Sequence, residues 1–322
     1  MKDTDFLYAT MRVRVNENNL LSPSAIERMC DAKTPEEAAK IIADAGYGDV
    51  SPRSFRDIER AILEMRRNVM AFIREISPCE EILEVFALKY DFHNIKTILK
   101  SAFSESSPER LLSDASFVEK DVLLFAINSG DMSALPEIMA NAIFEAKDAL
   151  ARTRDPQIAD FILDRAYFEM INAAAKRSKS KFLMGYTELL ADVANLRSAV
   201  RNMRQGRGDE VLSSSLVPGG SISSEVFLAY DFDEGFSSSP LSEAARLGKD
   251  AASGKSGLMA FEKELDTVLI RYMQSAKYAS FDERPVIAYI AARDAEAMSI
   301  RIIMAGKLEG LSPEEIRSRL RV

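Results

Sequence analysis

Apolar residues recur at intervals of three and four along most of this chain, and two-residue alternation is scarce. That periodicity predicts helices and argues against a sheet. Three stretches are clearest. Phe92, Ile95, Ile98 and Leu99 fall on one helical stripe, as do Val193, Leu196, Ala199 and Val200, and Ala297, Ile300, Ile303 and Met304. The prolines mark the starts. Eight of the 11 follow Ser, Thr or Asp, at Ser22-Pro23, Thr34-Pro35, Ser51-Pro52, Ser77-Pro78, Ser107-Pro108, Asp155-Pro156, Ser239-Pro240 and Ser312-Pro313. Each pair reads as an N-cap followed by a first helical residue, where proline's missing donor costs nothing. Thr34–Glu37 and Ser312–Glu315 also read as capping boxes.

These signals predict an all-α chain built on three long hairpins, at 53–76 with 79–101, 156–177 with 180–204, and 257–279 with 285–305. Shorter helices are expected over 6–15, after Pro23 and Pro35, over 240–253 and over 313–321, and a short-helix theme recurs in 104–153. Gly46-Tyr47-Gly48, Asn128-Ser129-Gly130-Asp131 and Gly206-Arg207-Gly208-Asp209 read as breakers. Ser213–Ser215, Pro218–Ser221 and Ser237–Ser239 read as Ser- and Gly-rich loops.

The second helix of each hairpin carries the same short pattern. It runs acid, two residues, Asn or Ser, an aliphatic residue, a base. The copies begin at Asp91, Asp192 and Glu296, spaced by 101 and 104 residues. Upstream of each stands an acid after a leucine (Glu64, Asp164, Asp266), at offsets of 27, 28 and 30 residues. Two marks in near-constant register predict three copies of one helical unit of about 100 residues, divided as 1–103, 104–206 and 207–322. The candidate contact residues are those of the pattern: Asp91, Asn94, Lys96 and Lys100; Asp192, Asn195, Arg197 and Arg201; Glu296, Ser299 and Arg301. They either form an interface for a partner or join one unit to the next.

Composition narrows the function. The 322 residues are 47% hydrophobic and 29% charged, an ordinary globular balance. The net charge of −8 argues against general nucleic-acid binding, which needs a basic footprint. No apolar run approaches the roughly 18 residues of a membrane span, and the start, Met1-Lys2-Asp3-Thr4-Asp5, opens no signal peptide. The expectation is a cytoplasmic protein with no direct membrane insertion. Cys30 and Cys79 sit in helical patterns and read as small buried apolar residues.

Catalytic readings fail one by one. Gly254-Lys255-Ser256 lacks the glycine five positions earlier that a phosphate loop needs, since Lys249 stands there, and no strand precedes it. Arg207-Gly208-Asp209 reads as a turn before a helix. His93 is the single histidine and reads as a partly buried structural residue. The acid pairs Glu36-Glu37, Glu80-Glu81 and Glu314-Glu315 lie in first turns, where they favour the helix dipole. No catalytic site, cofactor or metal is expected.

At the three copies the chain resembles the C subunit of the archaeal and bacterial A/V-type rotary ATPases, the family that includes the d subunit of the eukaryotic V-ATPase. Leu7-Tyr8-Ala9-Thr10-Met11-Arg12-Val13-Arg14 with Leu20-Leu21 resembles the family's opening. Tyr90–Lys96 and Asp192–Arg197 resemble its hallmark helix, and Ala292–Glu296 with Ile300–Leu308, running into Leu311–Arg317, resembles its closing helix. Asp294 departs from the glutamate expected there. The resemblance implies a non-catalytic rotor part, shaped as a funnel of three similar helical units about a pseudo-three-fold axis. It further implies partners in the central-stalk proteins and the cytoplasmic loops of the membrane ring. It implies a monomer in isolation, present once per complex on the cytoplasmic face of the membrane. The competing reading is a cytosolic helical-repeat adaptor with no role in ion transport, against which the long repeat counts, since such repeats run about 33–47 residues.

Overall fold

The computed structural model describes residues 3–44, 54–103 and 107–320. Most of those residues are helical, with no strand among them. In order they form α1 (Leu7–Glu17), α2 (Pro23–Asp31), α3 (Pro35–Ile42), α4 (Phe55–Ile76), α5 (Glu80–Phe103), α6 (Lys120–Ser129), α7 (Glu137–Thr153), α8 (Pro156–Ser178), α9 (Lys181–Gln205), α10 (Asp209–Ser215), α11 (Ser224–Leu228), α12 (Ser242–Ala252), α13 (Leu258–Gln274), α14 (Arg284–Leu308) and α15 (Pro313–Arg319). Short 3-10 turns precede α1 and follow α13. Of the predicted hairpins, α8 packs against α9, and the helices expected for the other two are present as α4, α5, α13 and α14.

Four of the proline pairs cap as read. The side chains of Ser22, Thr34, Asp155 and Ser312 accept the amides of Ala25, Glu37, Gln157 and Glu315. Ser312 completes its capping box with Glu315. At Thr34 the reciprocal bond is displaced by one residue, because the Glu37 carboxylate takes the amide of Lys33. Three pairs behave otherwise. Ser77 closes α4, and its hydroxyl donates to the Cys79 carbonyl, so Pro78 and Cys79 become a link and α5 starts at Glu80. Ser107-Pro108 opens only the 3-10 turn Glu109–Leu111. The Ser239 hydroxyl accepts the Leu241 amide in a turn, which delays α12 to Ser242. Ser213–Ser215, expected as a loop, closes α10, with the hydroxyls of Ser214 and Ser215 turned back onto the carbonyls of Glu210 and Leu212. The Gly46–Gly48 breaker and the Ser51-Pro52 cap lie outside the described residues.

The chain divides into two compact units, Met1–Glu80 with Ile270–Val322, and Glu81–Leu269. In the first, α14 is the central element, in contact with α1, α2, α3, α4 and α15. Its stripe Ala297, Ile300, Ile303 and Met304 joins Met29, Cys30, Ile42, Ile58, Ile62 and Ile316 in one core. Gly306 lets α15 approach, since a Cβ there would stand 2.7 Å from Ile316. In the second unit, α8 packs against both α7 and α9, and α9 meets α10, α11 and α12. The stripes of Phe92 to Leu99 and Val193 to Val200 are buried here as the periodicity requires. Gly248 brings α12 close to α9, with a Cβ at that position only 2.7 Å from Val200.

Candidate functional site

The repeated pattern folds into a repeated device. On α5 the Asp91 carboxylate is fully buried and accepts the amides of Phe117 (2.9 Å) and Val118 (2.8 Å). One helical turn later, Asn94 makes a two-way clamp on Ser113. Its Nδ2 donates to the Ser113 carbonyl at 2.9 Å, and its Oδ1 accepts the Ser113 amide at 2.7 Å. On α9 the same bonds recur. Asp192 accepts the amides of Ser221 (3.0 Å) and Ile222 (3.1 Å) and the Ser221 hydroxyl (2.7 Å). Asn195 clamps Val217 at 3.0 and 2.8 Å. In both copies the clamped residue precedes the two anchored amides by the same steps along the loop, 113 to 117 and 118, and 217 to 221 and 222.

Acid and amide thus supply hydrogen bonds that a buried loop cannot find in water. Burial works against the charge of Asp192 and raises its pKa, while the Ser221 hydroxyl and the amides of Ile222 and Ser221 pull it back down. The second loop is held from α8 as well, where the Asn172 side chain donates to the Pro218 carbonyl at 3.1 Å. The approach is so close that a Cβ on Gly219 would stand 1.7 Å from Asn172, and one on Gly220 2.1 Å from Asp192. The two glycines read as loop composition are therefore a packing requirement, and Gly219 also sits at a φ of +94°.

The third copy keeps the acid and loses the clamp. Glu296 on α14 is buried, accepts the Leu21 amide and takes Arg293 Nη1 at 2.8 Å. Burial is the larger influence and pushes its carboxyl up to about 7, against the pull of the Leu21 amide. Among the described residues Ser299 bonds back along its own helix, its hydroxyl donating to the Ala295 carbonyl at 3.0 Å. One constant runs through all three copies. The anchored amide belongs to the residue just before an N-cap: Val118 before Glu119, Ile222 before Ser223, Leu21 before Ser22. The pattern's acid fixes the entry of the chain into the next short helix.

The bases reach the next copy. Lys96 pairs with Asp164 at 2.6 Å and Lys100 with Asp160 at 2.7 Å, joining α5 to α8. Arg197 pairs with Glu262 at 2.8 Å and Asp266 at 3.6 Å, and Arg201 with Glu262 at 2.7 Å, joining α9 to α13. Burial alone would raise the Glu262 pKa, but Arg197 and Arg201 outweigh it and the carboxyl is lowered. Arg301 grips Glu59 of α4 with two bonds of 2.6 Å. The bases of α5 thus pair onto α8, those of α9 onto α13, and that of α14 onto α4. Asp164 and Asp266, the upstream marks, are thus receptors for the preceding copy's base, whereas Glu64 pairs with Arg67 on its own helix and Glu59 takes its place.

Asp160, Glu262, Glu59 and Asn172 were not singled out in the sequence. For Asp160 and Glu262 a signal existed, because each stands four residues before an upstream mark and matches the four-residue spacing of the bases. The remaining chemical candidates fall into structural roles. Gly254 closes α12 at a φ of +77°, with the Lys255 amide bonded to Asp250. Gly208 is the N-cap of α10. His93, expected partly buried, is exposed and contacts the Leu111 carbonyl at 3.1 Å. Cys30 and Cys79 are buried thiols. Among the described residues no group of three metal-ligating side chains converges, and no helix is long and apolar enough to cross a membrane.

Comparison with known proteins places the chain in a family. The family model described as ATP synthase (C/AC39) subunit matches residues 9–319. The C subunit of the V-type sodium ATPase of Enterococcus hirae is 23% identical over 322 residues, covering 96% of each chain. The C subunit of the V-type ATP synthase of Thermus thermophilus is 23% identical and covers 98% of each. The C subunit of the A-type ATP synthase of Methanocaldococcus jannaschii is 22% identical, over 98% of this chain and 86% of its own. With nearly its whole length matched, this chain belongs to the ATP synthase C/AC39 subunit family.

Proposed function

We propose that this protein is the non-catalytic central-rotor subunit of a V/A-type ATP synthase or ATPase. In this reading it links the central stalk to the cytoplasmic loops of the membrane ring and transmits torque between ATP chemistry and the movement of protons or sodium. The observation that carries it is the family match across residues 9–319, supported by relatives named as C subunits over nearly their full length. Three units, 1–103, 104–206 and 207–322, would surround a pseudo-three-fold axis as a funnel, one copy per complex, peripheral on the cytoplasmic face. The clamps and the ion-pair ladder support such a role, since a torque-bearing part needs helices fixed to their loops and neighbours, and partly buried paired charges resist displacement more than exposed ones. In this picture Asp91, Asn94, Asp192, Asn195 and Glu296 set the stiffness of the part, while Lys96, Lys100, Arg197, Arg201 and Arg301 set the register between units.

The test compares ATP hydrolysis with ion pumping in membranes that lack this protein. The expected outcome is hydrolysis by the soluble head with pumping abolished. Unchanged pumping would refute the coupling role.

A further inference from the structure

The third copy of the clamp differs from the others in a way that concerns the chain's two ends. In the first two copies the anchored loop follows its helix directly, the clamped residue standing 19 and 22 positions after the asparagine. In the third, Leu21 lies 275 residues before Glu296. The short helices α2 and α3, which follow the amide that Glu296 anchors, therefore arrive from the opposite end of the chain and are joined to α14 by contacts alone.

The contacts themselves are of another kind. The clamped residue precedes the second anchored amide by five positions in the first two copies. The same count back from Leu21 gives Asn16, whose backbone lies inside α1. An asparagine at position 299 would find no loop backbone there, and Ser299 stands in its place. Besides the shared apolar core, charge ties α2 to the C-terminal helices. Lys307 Nζ donates to the carbonyls of Cys30 and of Ala32 (2.6 Å), at the end of α2, where a cation is favoured. Arg317 of α15 pairs with Glu27 (2.8 Å) and with Asp31 in exposed positions. Exposed charge pairs weaken with added salt, whereas neutral amide clamps do not. The apolar contribution is modest too, since of the seven residues that the segment buries in this core, Ala25, Cys30, Ala38 and Ala39 are small.

We propose that residues 19–44 form a salt-sensitive latch. It leaves α14 by local opening while the loops clamped by Asn94 and Asn195 stay closed. Opening uncovers the stripe Ala297, Ile300, Ile303 and Met304 and gives the third copy a mobility that the other two lack. The latch does not depend on the rotor assignment.

Hydrogen exchange of the intact protein, read by mass spectrometry, tests it. Residues 21–31 should exchange about tenfold or more faster than 113–129 and 217–228, because local openings of low free energy dominate exchange there. The difference should widen between about 0.05 and about 0.5 M NaCl, as surface pairs are screened. Lys307→Met should speed exchange in 21–31 alone. Equal exchange in the three segments overturns the proposal. So does an N-terminal segment indifferent to both salt and Lys307→Met, and the salt series on the unmodified chain gives this answer even if the variant folds poorly.

Discussion

At the scale of single residues, the buried acids show how one side-chain type is put to one use with different consequences. Asp91 and Asp192 each hold two loop amides, and anchored charge is stabilised by such donors. Glu296 holds the Leu21 amide beside Arg293, and its carboxyl is pushed up to about 7 from an ordinary 4.5. The sign follows from linkage. A folded-state pKa above the unfolded one contributes stability that is complete below about pH 4.5 and is lost as pH rises through about 7. The shift corresponds to roughly 3 kcal/mol at about 1.36 kcal/mol per unit. Glu296→Gln should therefore match the parent in melting temperature near pH 5 and exceed it at pH 8. A variant less stable than the parent at both values would show that the Arg293 pair outweighs burial. Other charges nearby, the Arg66–Asp294 pair at 3.4 Å, are common to both proteins.

At the scale of helices and loops, the clamp predicts an ordering among variants. Asn94→Ala and Asn195→Ala leave a buried backbone amide and carbonyl without their partners, which costs about 1–3 kcal/mol per unsatisfied group. Ser299→Ala removes only a hydroxyl bonded within its own helix and should stay within about 0.5 kcal/mol. Denaturant midpoints measure the difference, and equal losses in all three would refute the clamp. Lost binding to isolated stalk proteins with an unchanged midpoint would instead make the asparagines partner contacts. Much of this level is legible in the sequence. The period of three and four located the six long helices, and the apolar stripes are buried as that period demands. The targets of Asp91 and Asn94 were not readable, because Phe117, Val118 and Ser113 contribute their backbones, which every residue type carries. The Ser-Pro signal overreached at 77, 107 and 239 for a related reason. It records a local preference for turning, and whether a helix follows depends on packing further along the chain.

At the scale of the whole molecule, the division into two compact units implies that damage in one need not spread to the other. Removing residues 311–322 takes Ile316 and Leu320 from the first unit's core and deletes the Arg317 pairs with Glu27 and Asp31. Burying a single isoleucine contributes about 1.5–3 kcal/mol, so the loss should be large for that unit. Hydrogen exchange should speed throughout α2, α3 and α14 and remain unchanged in α6 to α9. A uniform loss of protection would mean that the two units unfold as one. The split third copy also sets an order of manufacture. A ribosome releases α2 and α3 early, when the helix that will receive them has yet to be made, while α5 and α9 meet their loops within the next few dozen residues. The nascent chain must therefore carry α2 and α3 without their partner through nearly the whole of synthesis, and their small, sparse apolar face suits a segment that waits in water without aggregating.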